Sequence, residues 1–276
     1  MRPTATMIDH YNDLGFALRN DNDLQAVIER AFSAGRKLNC ESGNYLVWRP
    51  GSDIELWVQT DRDDSIIGCM PHFMGLARVS LEIEEFVWVD TVDTALEGIL
   101  SCYSCPDADG FAEDTGVPVL ADSPDFGIVR QSLTCPTKVR AQLAAFAHEI
   151  SCFSDEEEYE EAQQPELPPR PMGPEPEDPI ERARKRIDRM TRAPESYFPL
   201  GQFSQPQTSR IGFAGSIRRT RRLSNPVTTQ EFYHMVVKTY GGLVVDVVAD
   251  PSMVKGTPVD SGILEGVCCL SARIEP

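Results

Sequence analysis

The sequence predicts an α+β protein: an N-terminal βαβββ-type mixed sheet with further antiparallel strands, and a C-terminal small β-barrel of OB-like or SH3-like type. Three observations carry this. An amphipathic run at residues 21–35 lies among short apolar runs. Residues 77–90 alternate apolar and polar. After a proline-rich break, residues 195–276 hold four or five strand-like runs separated by turn residues. The expected organisation is an α+β domain over 1–154, an acidic and proline-rich linker with a short basic helix over 155–194, and the barrel over 195–276.

Taken in order, "YNDLGFALRN" reads as a first strand. "DNDLQAVIERAFSAG" follows as a helix, because Leu24, Val27, Ile28, Ala31 and Phe32 recur at the spacing of one buried face. Asn22 with Gln25 resembles a capping pair, and Gly35 is a stop signal. "NYLVWRP" and "DIELWVQT" are short strands joined at Pro50-Gly51, and "SIIGCM" follows a polar turn. In "ARVSLEIEEFVWVD", alternation places Val79, Leu81 and Ile83 on one face. "VRAQLAAFAHEISCF" has helix-favouring alanines but also alternates, and its place before an acidic loop favours a strand.

Residues 155–179 are acidic and then hold seven prolines between 165 and 179, the composition of a linker or surface insertion. Asp178 and Pro179 suit the start of a short basic helix. Beyond it, "RIGFAGSI", "EFYHMVVKTY", "LVVDVVAD" and "GILEGVCCLSARI" read as strands, with "NPVTTQ" and "GG" as turns.

Composition bounds the function. A length of 276 residues allows two domains, and 41% hydrophobic with 25% charged residues is globular usage. A formal net charge of −17 disfavours general attraction to nucleic acid or anionic membranes. No apolar run approaches the roughly 20 residues that span a bilayer, and the N-terminus lacks a signal-peptide core. The expectation is a cytoplasmic protein whose eight cysteines are reduced thiols.

The pieces "IELWVQ", "MPHFMG", "QLAAFAHEIS", "SYFPLGQF", "NPVTTQEFY" and "KTYGGLVVDVVADP" resemble a group of bacterial proteins with no assigned activity. They are spread over most of residues 10–276 outside the proline-rich segment. The resemblance implies an α+β part followed by a barrel. More loosely, residues 10–75 resemble one βαβββ module of the vicinal oxygen chelate superfamily, the glyoxalase-like fold. Its metal-using members bind a divalent ion through a His on the first strand and a Glu on the last strand of each module. That resemblance implies His10, Glu55, His72 and Glu149 as a divalent-metal set acting as a Lewis acid. Residues 76–150 show no clear helix for a second module.

Other motifs are weaker. Cys102 and Cys105 have the spacing of a zinc knuckle or redox pair, but no second such pair exists. There is no GxSxG and no glycine-rich phosphate loop. Arg218, Arg219, Arg221 and Arg222 fall in five positions, and with Lys238 they offer a surface for an anion or partner. Residues 209–276 hold eight basic and six acidic side chains, a net of only +2, where a nucleic-acid binder is clearly basic. The leading expectation is a non-enzymatic binding or accessory protein with a protein partner, no membrane and no cofactor. The alternatives are a glyoxalase-like metal enzyme and a single-stranded nucleic-acid binder through the barrel.

Overall fold

The computed structural model describes residues 5–51, 53–88, 95–105, 116–163 and 193–275. Two helices open the chain, α1 (Ala5–Asn12) and α2 (Asp21–Ala34). The strand expected at 11–20 does not form. Leu14, Phe16 and Leu18 do alternate and are all buried, but the Asn12 amide bonds both the N–H of Leu18 (2.6 Å) and its carbonyl (3.1 Å), holding a compact link instead of a ladder. In α2, Leu24, Ile28 and Ala31 are buried as the periodicity requires. The cap is Asn20, whose side chain accepts from the N–H groups of Asn22 and Asp23.

A four-stranded antiparallel meander follows: β1 (Arg36–Cys40), β2 (Gly43–Trp48), β3 (Ile54–Thr60) and β4 (Ile66–Phe73). The N-terminal order is therefore two helices and four strands, not βαβββ. One face of this sheet packs on α1 and α2 through Trp48, Leu56, Val58, Cys69 and Phe73. The other carries Tyr45, Val47 and Trp57 against Leu96.

The remaining strands form one ten-stranded mixed sheet: β5 (Arg78–Trp88), β6 (Gly98–Cys105), β7 (Pro118–Asp122), β8 (Thr137–Phe153), β9 (Ser196–Phe198), β10 (Arg210–Ser224), β11 (Glu231–Thr239), β12 (Val244–Ala249), β13 (Val254–Lys255) and β14 (Ile263–Ile274). Helix α3 (Phe126–Ser132) joins β7 to β8, and α4 (Glu156–Gln163) follows β8. β8 and β14 form a long antiparallel ladder at the centre. The other edge of β8 takes β5, then β12, then β13, and the other edge of β14 takes β10 and then β7. Pairing thus closes two five-stranded rings that share this ladder: β8–β5–β6–β7–β14 and β8–β12–β11–β10–β14. A single apolar core runs through both, from Leu81 and Val119 to Met235 and Val247.

The alanines of β8 now have a reason. Ala141, Ala145 and Ala147 face that core, while Ala144 faces the helices and the small sheet. Both faces are covered and both edges paired, so at these positions the facing layers pack close to the strand, with Leu143 and Phe146 filling the space between. β8 lies before residue 154 yet pairs with β12 and β14, so the sheet runs through the expected boundary. Within the segment expected as linker, α4 packs Tyr159 against Ala214 and Ile263. The basic helix expected near 178–190 lies outside the described residues. No helix among the described residues is long and apolar enough to cross a membrane.

Candidate functional site

On the β2–β3 face that carries Val47 and Trp57, the apolar patch ends in a concave pocket of about 390 Å³. Its floor is Leu38, Val47 and Trp57, and its walls hold Arg36, Arg49 and Arg273. The pairing register explains the gathering. Arg36 lies across from Val47, and Val47 across from Trp57, while Arg49 and Glu55 are each two residues along their strands from that row, hence on the same face. Arg273 arrives from β14, with its guanidinium carbon 5.4 Å from the Trp57 ring centroid.

Glu55 lies beneath this group and is fully buried. It accepts from Arg49 Nε at 2.6 Å and from Trp57 Nε1 at 2.9 Å, and pairs with Arg273 Nε at 3.3 Å. Asp125 adds a further acid within electrostatic range, its carboxyl pushed up to about 6 by burial, against the Ser123 hydrogen bond and the pull of Arg273. Three guanidinium groups over the carboxyls of Glu55 and Asp125 leave the mouth cationic, on a chain of net charge −17.

From Glu55 a buried polar seam continues inward. Glu55 lies directly across the ladder from His72. His72 Nδ1 shares a 2.8 Å hydrogen bond with Ser271 Oγ. Farther in, Asp246 Oδ2 accepts from Gln142 Nε2 at 3.0 Å, and Asp246 Oδ1 accepts from His234 Nε2 at 2.7 Å. His72 and Asp246 are fully buried, and Ser271 is 3% exposed. A nucleophile must meet its substrate, and this serine is sealed, so the seam is packing that aligns the small sheet on the large one.

Burial lowers the His72 pKa to about 4, with Glu55 opposing and Arg273 reinforcing the shift. The unfolded chain therefore takes up this proton first, near 6.5, and the stability tied to neutral His72 is lost as pH falls from 6.5 toward 4. The expected ceiling is about 3 kcal/mol. In His72→Gln the loss of stability between pH 7 and pH 4.5, measured by denaturant unfolding, should be shallower than in wild type. Equal slopes would overturn this assignment.

The residues singled out from the sequence are dispersed. Glu55 and His72 are neighbours, but Glu149 is exposed and pairs with Lys255. His10, on α1, lies beside Phe146 and His148, with ring centroids 5.0 and 6.0 Å away. The cluster with metal-ligand proximity among the described residues is His10, His148 and Cys269. Cys102 and Cys105 are three apart on a strand and so point to opposite faces, and burial pushes the Cys102 thiol up to about 12. All eight cysteines are free thiols.

The arginine stretch ends β10, and the expected turn at 225–230 leads into β11. A bulge between Ile217 and Arg219 takes Arg218 out of the alternation. Arg222 pairs with Glu231 at 3.4 Å and sits over Tyr233, and Lys238 pairs with Glu195 at 3.8 Å.

The pocket was missed from the sequence. Its cations come from β1, β2 and β14, and only the register brings them together. Comparison with known protein families, curated proteins and solved structures gave no match.

Proposed function

We propose that this chain is a binding protein for small organic anions, and that the pocket between Arg36, Arg49, Arg273 and Trp57 is its binding site. The observation that carries this is a cationic, tryptophan-floored cavity of about 390 Å³ on a strongly acidic chain. That volume falls in the range of small-molecule pockets, roughly 300–1,000 Å³. Guanidinium forks suit carboxylate, sulfonate or phosphate oxygens, and the apolar floor suits a planar body attached to them. The lining offers cations and apolar surface, which favours binding over chemistry.

The finer architecture belongs to the same reading. We read the ring β8–β12–β11–β10–β14 as an OB-like barrel and the second ring as its counterpart. The shared ladder then acts as the rigid support from which Arg273 projects into the pocket.

The test uses 8-anilinonaphthalene-1-sulfonate as a fluorescent aromatic anion, with benzoate and inorganic phosphate as competitors. One probe should bind per chain, displaced by benzoate more readily than by phosphate. Arg36→Ala should weaken it about tenfold, the loss of one charge-assisted contact. Arg36 is exposed and stands at the edge of the small sheet, so the change should leave the fold intact. Affinity unchanged in both Arg36→Ala and Arg49→Ala would overturn the proposal.

A further inference from the structure

Away from the pocket, α1, β8 and β14 meet at a second group of side chains. His10, His148 and Cys269 each present one nitrogen or sulfur, and these three atoms lie within 4.8 Å of one another. The backbone explains how. Cys269 lies directly across the ladder from Phe146. Pairing then skips His148, since Val267 opposes Glu149 and Cys268 opposes Ala147. β8 thus carries an extra residue at a bulge, a device that re-aims a side chain. His10 closes the group from above, packed on Phe146 and His148.

A second observation points to a ligand. His10 Nε2 is sealed from solvent and has no hydrogen-bond partner. A buried polar atom left unpaired loses hydration without replacement, and an ion is one explanation of such an atom. Each of the two imidazoles offers one ring nitrogen to the group.

We propose that His10, His148 and Cys269 bind one zinc ion, through two imidazole nitrogens and one thiolate. Two nitrogens with one sulfur suit a borderline ion, whereas calcium and magnesium take oxygen donors. Three protein ligands leave the fourth tetrahedral position for water or an exogenous group. Binding exchanges the Cys269 S–H bond for an S–Zn bond and releases that proton to solvent, so affinity rises with pH. The site ties the N-terminal helix to the shared β8–β14 ladder. It uses His10, which the glyoxalase-like resemblance implied as a ligand, with different partners.

The test takes chelator-stripped full-length protein and titrates zinc by calorimetry, then cobalt(II) by absorption. Wild type should bind one zinc per chain, and cobalt should give a thiolate-to-metal charge-transfer band. Cys269→Ser should abolish that band and weaken zinc more than tenfold, since changing even a group that only orients a ligand costs about that much. His148→Gln, at a half-buried position, should weaken zinc similarly while near-ultraviolet circular dichroism stays native, and it keeps the test open where Cys269→Ser does not fold. Seven other thiols are present, so a cobalt band that survives unchanged in both variants would overturn the proposal. Absence of stoichiometric zinc binding by folded wild type would do the same.

Discussion

Asp246→Ala should be among the most damaging single substitutions in this chain, costing about 3–5 kcal/mol, the range for removing one partner of a buried charged network. Asp246 is fully buried on β12. Its carboxylate accepts from the Ala77 N–H at 2.6 Å, from Gln142 Nε2 at 3.0 Å and from His234 Nε2 at 2.7 Å. These partners come from the link before β5, from β8 and from β11, so one side chain fastens three parts of the fold. Alanine would leave all three donors unpaired in a dry site, at the desolvation cost of each. Denaturant unfolding should show a lower midpoint for Asp246→Ala. A loss under about 1 kcal/mol would mean that water replaces the carboxylate.

The same site carries a pH signature. Burial raises the Asp246 pKa, but the hydrogen bond from His234 and those from the Leu76 and Ala77 backbone outweigh it and hold the carboxyl below its usual value. For an acid depressed on folding, the stabilisation is present above the unfolded pKa and is lost as pH falls through the folded one. Asp246→Asn removes that titration. The gap between wild type and Asp246→Asn should therefore be widest at neutral pH and narrow below about pH 4, the ordinary aspartate value. Gly75 belongs to the same construction. A Cβ there would stand 2.1 Å from the Asp246 Cγ, so only glycine lets the chain pass.

Short-range signals in the sequence were reliable where one residue's neighbours decide its state. Leu24, Ile28 and Ala31 marked the buried face of α2, Leu81 and Ile83 marked that of β5, and Asn225 with Pro226 marked the turn after β10. Signals failed where a distant partner decides. Leu14, Phe16 and Leu18 alternate and are buried, yet among the described residues no strand pairs with them. β1, β6 and β7 were missed: β1 is a short polar edge strand with an exposed face, and β7 spans only five residues. The sharing of β8 and β14 between two rings was not legible either, because the acidic and proline-rich break separates them in the chain but not in the sheet. The pocket shares that cause. Arg49 and Glu55 flank a recognisable turn, but Arg273 is more than two hundred residues away and reaches Trp57 only through β14. Of the residues chosen for chemistry, Glu55, His72 and His10 do sit in polar groups, each with partners that linear spacing could not name.

Glu55→Leu should be nearly as costly as Asp246→Ala, and its rescue separates structure from function in the pocket. Leucine would remove the acceptor of Arg49 Nε and Trp57 Nε1 and the ion-pair partner of Arg273. Arg49 is half exposed, at 52%, and can turn to water, whereas Arg273 is only 21% exposed. The penalty therefore falls on Arg273, a cation pressed against Trp57 with its partner gone, and about 3–5 kcal/mol is expected. Replacing both charges should repair most of this. Glu55→Leu with Arg273→Met exchanges a buried ion pair for apolar side chains, a change that is often neutral or stabilising. The double variant should unfold within about 1–2 kcal/mol of wild type, giving a large favourable coupling in the double-mutant cycle. Its anion binding should still fall, because Arg273 no longer lines the cavity and only Arg36 and Arg49 remain. A double variant as unstable as Glu55→Leu alone would assign the loss to Arg49 and Trp57 instead. One that is stable and binds 8-anilinonaphthalene-1-sulfonate as wild type does would remove Arg273 from the binding site.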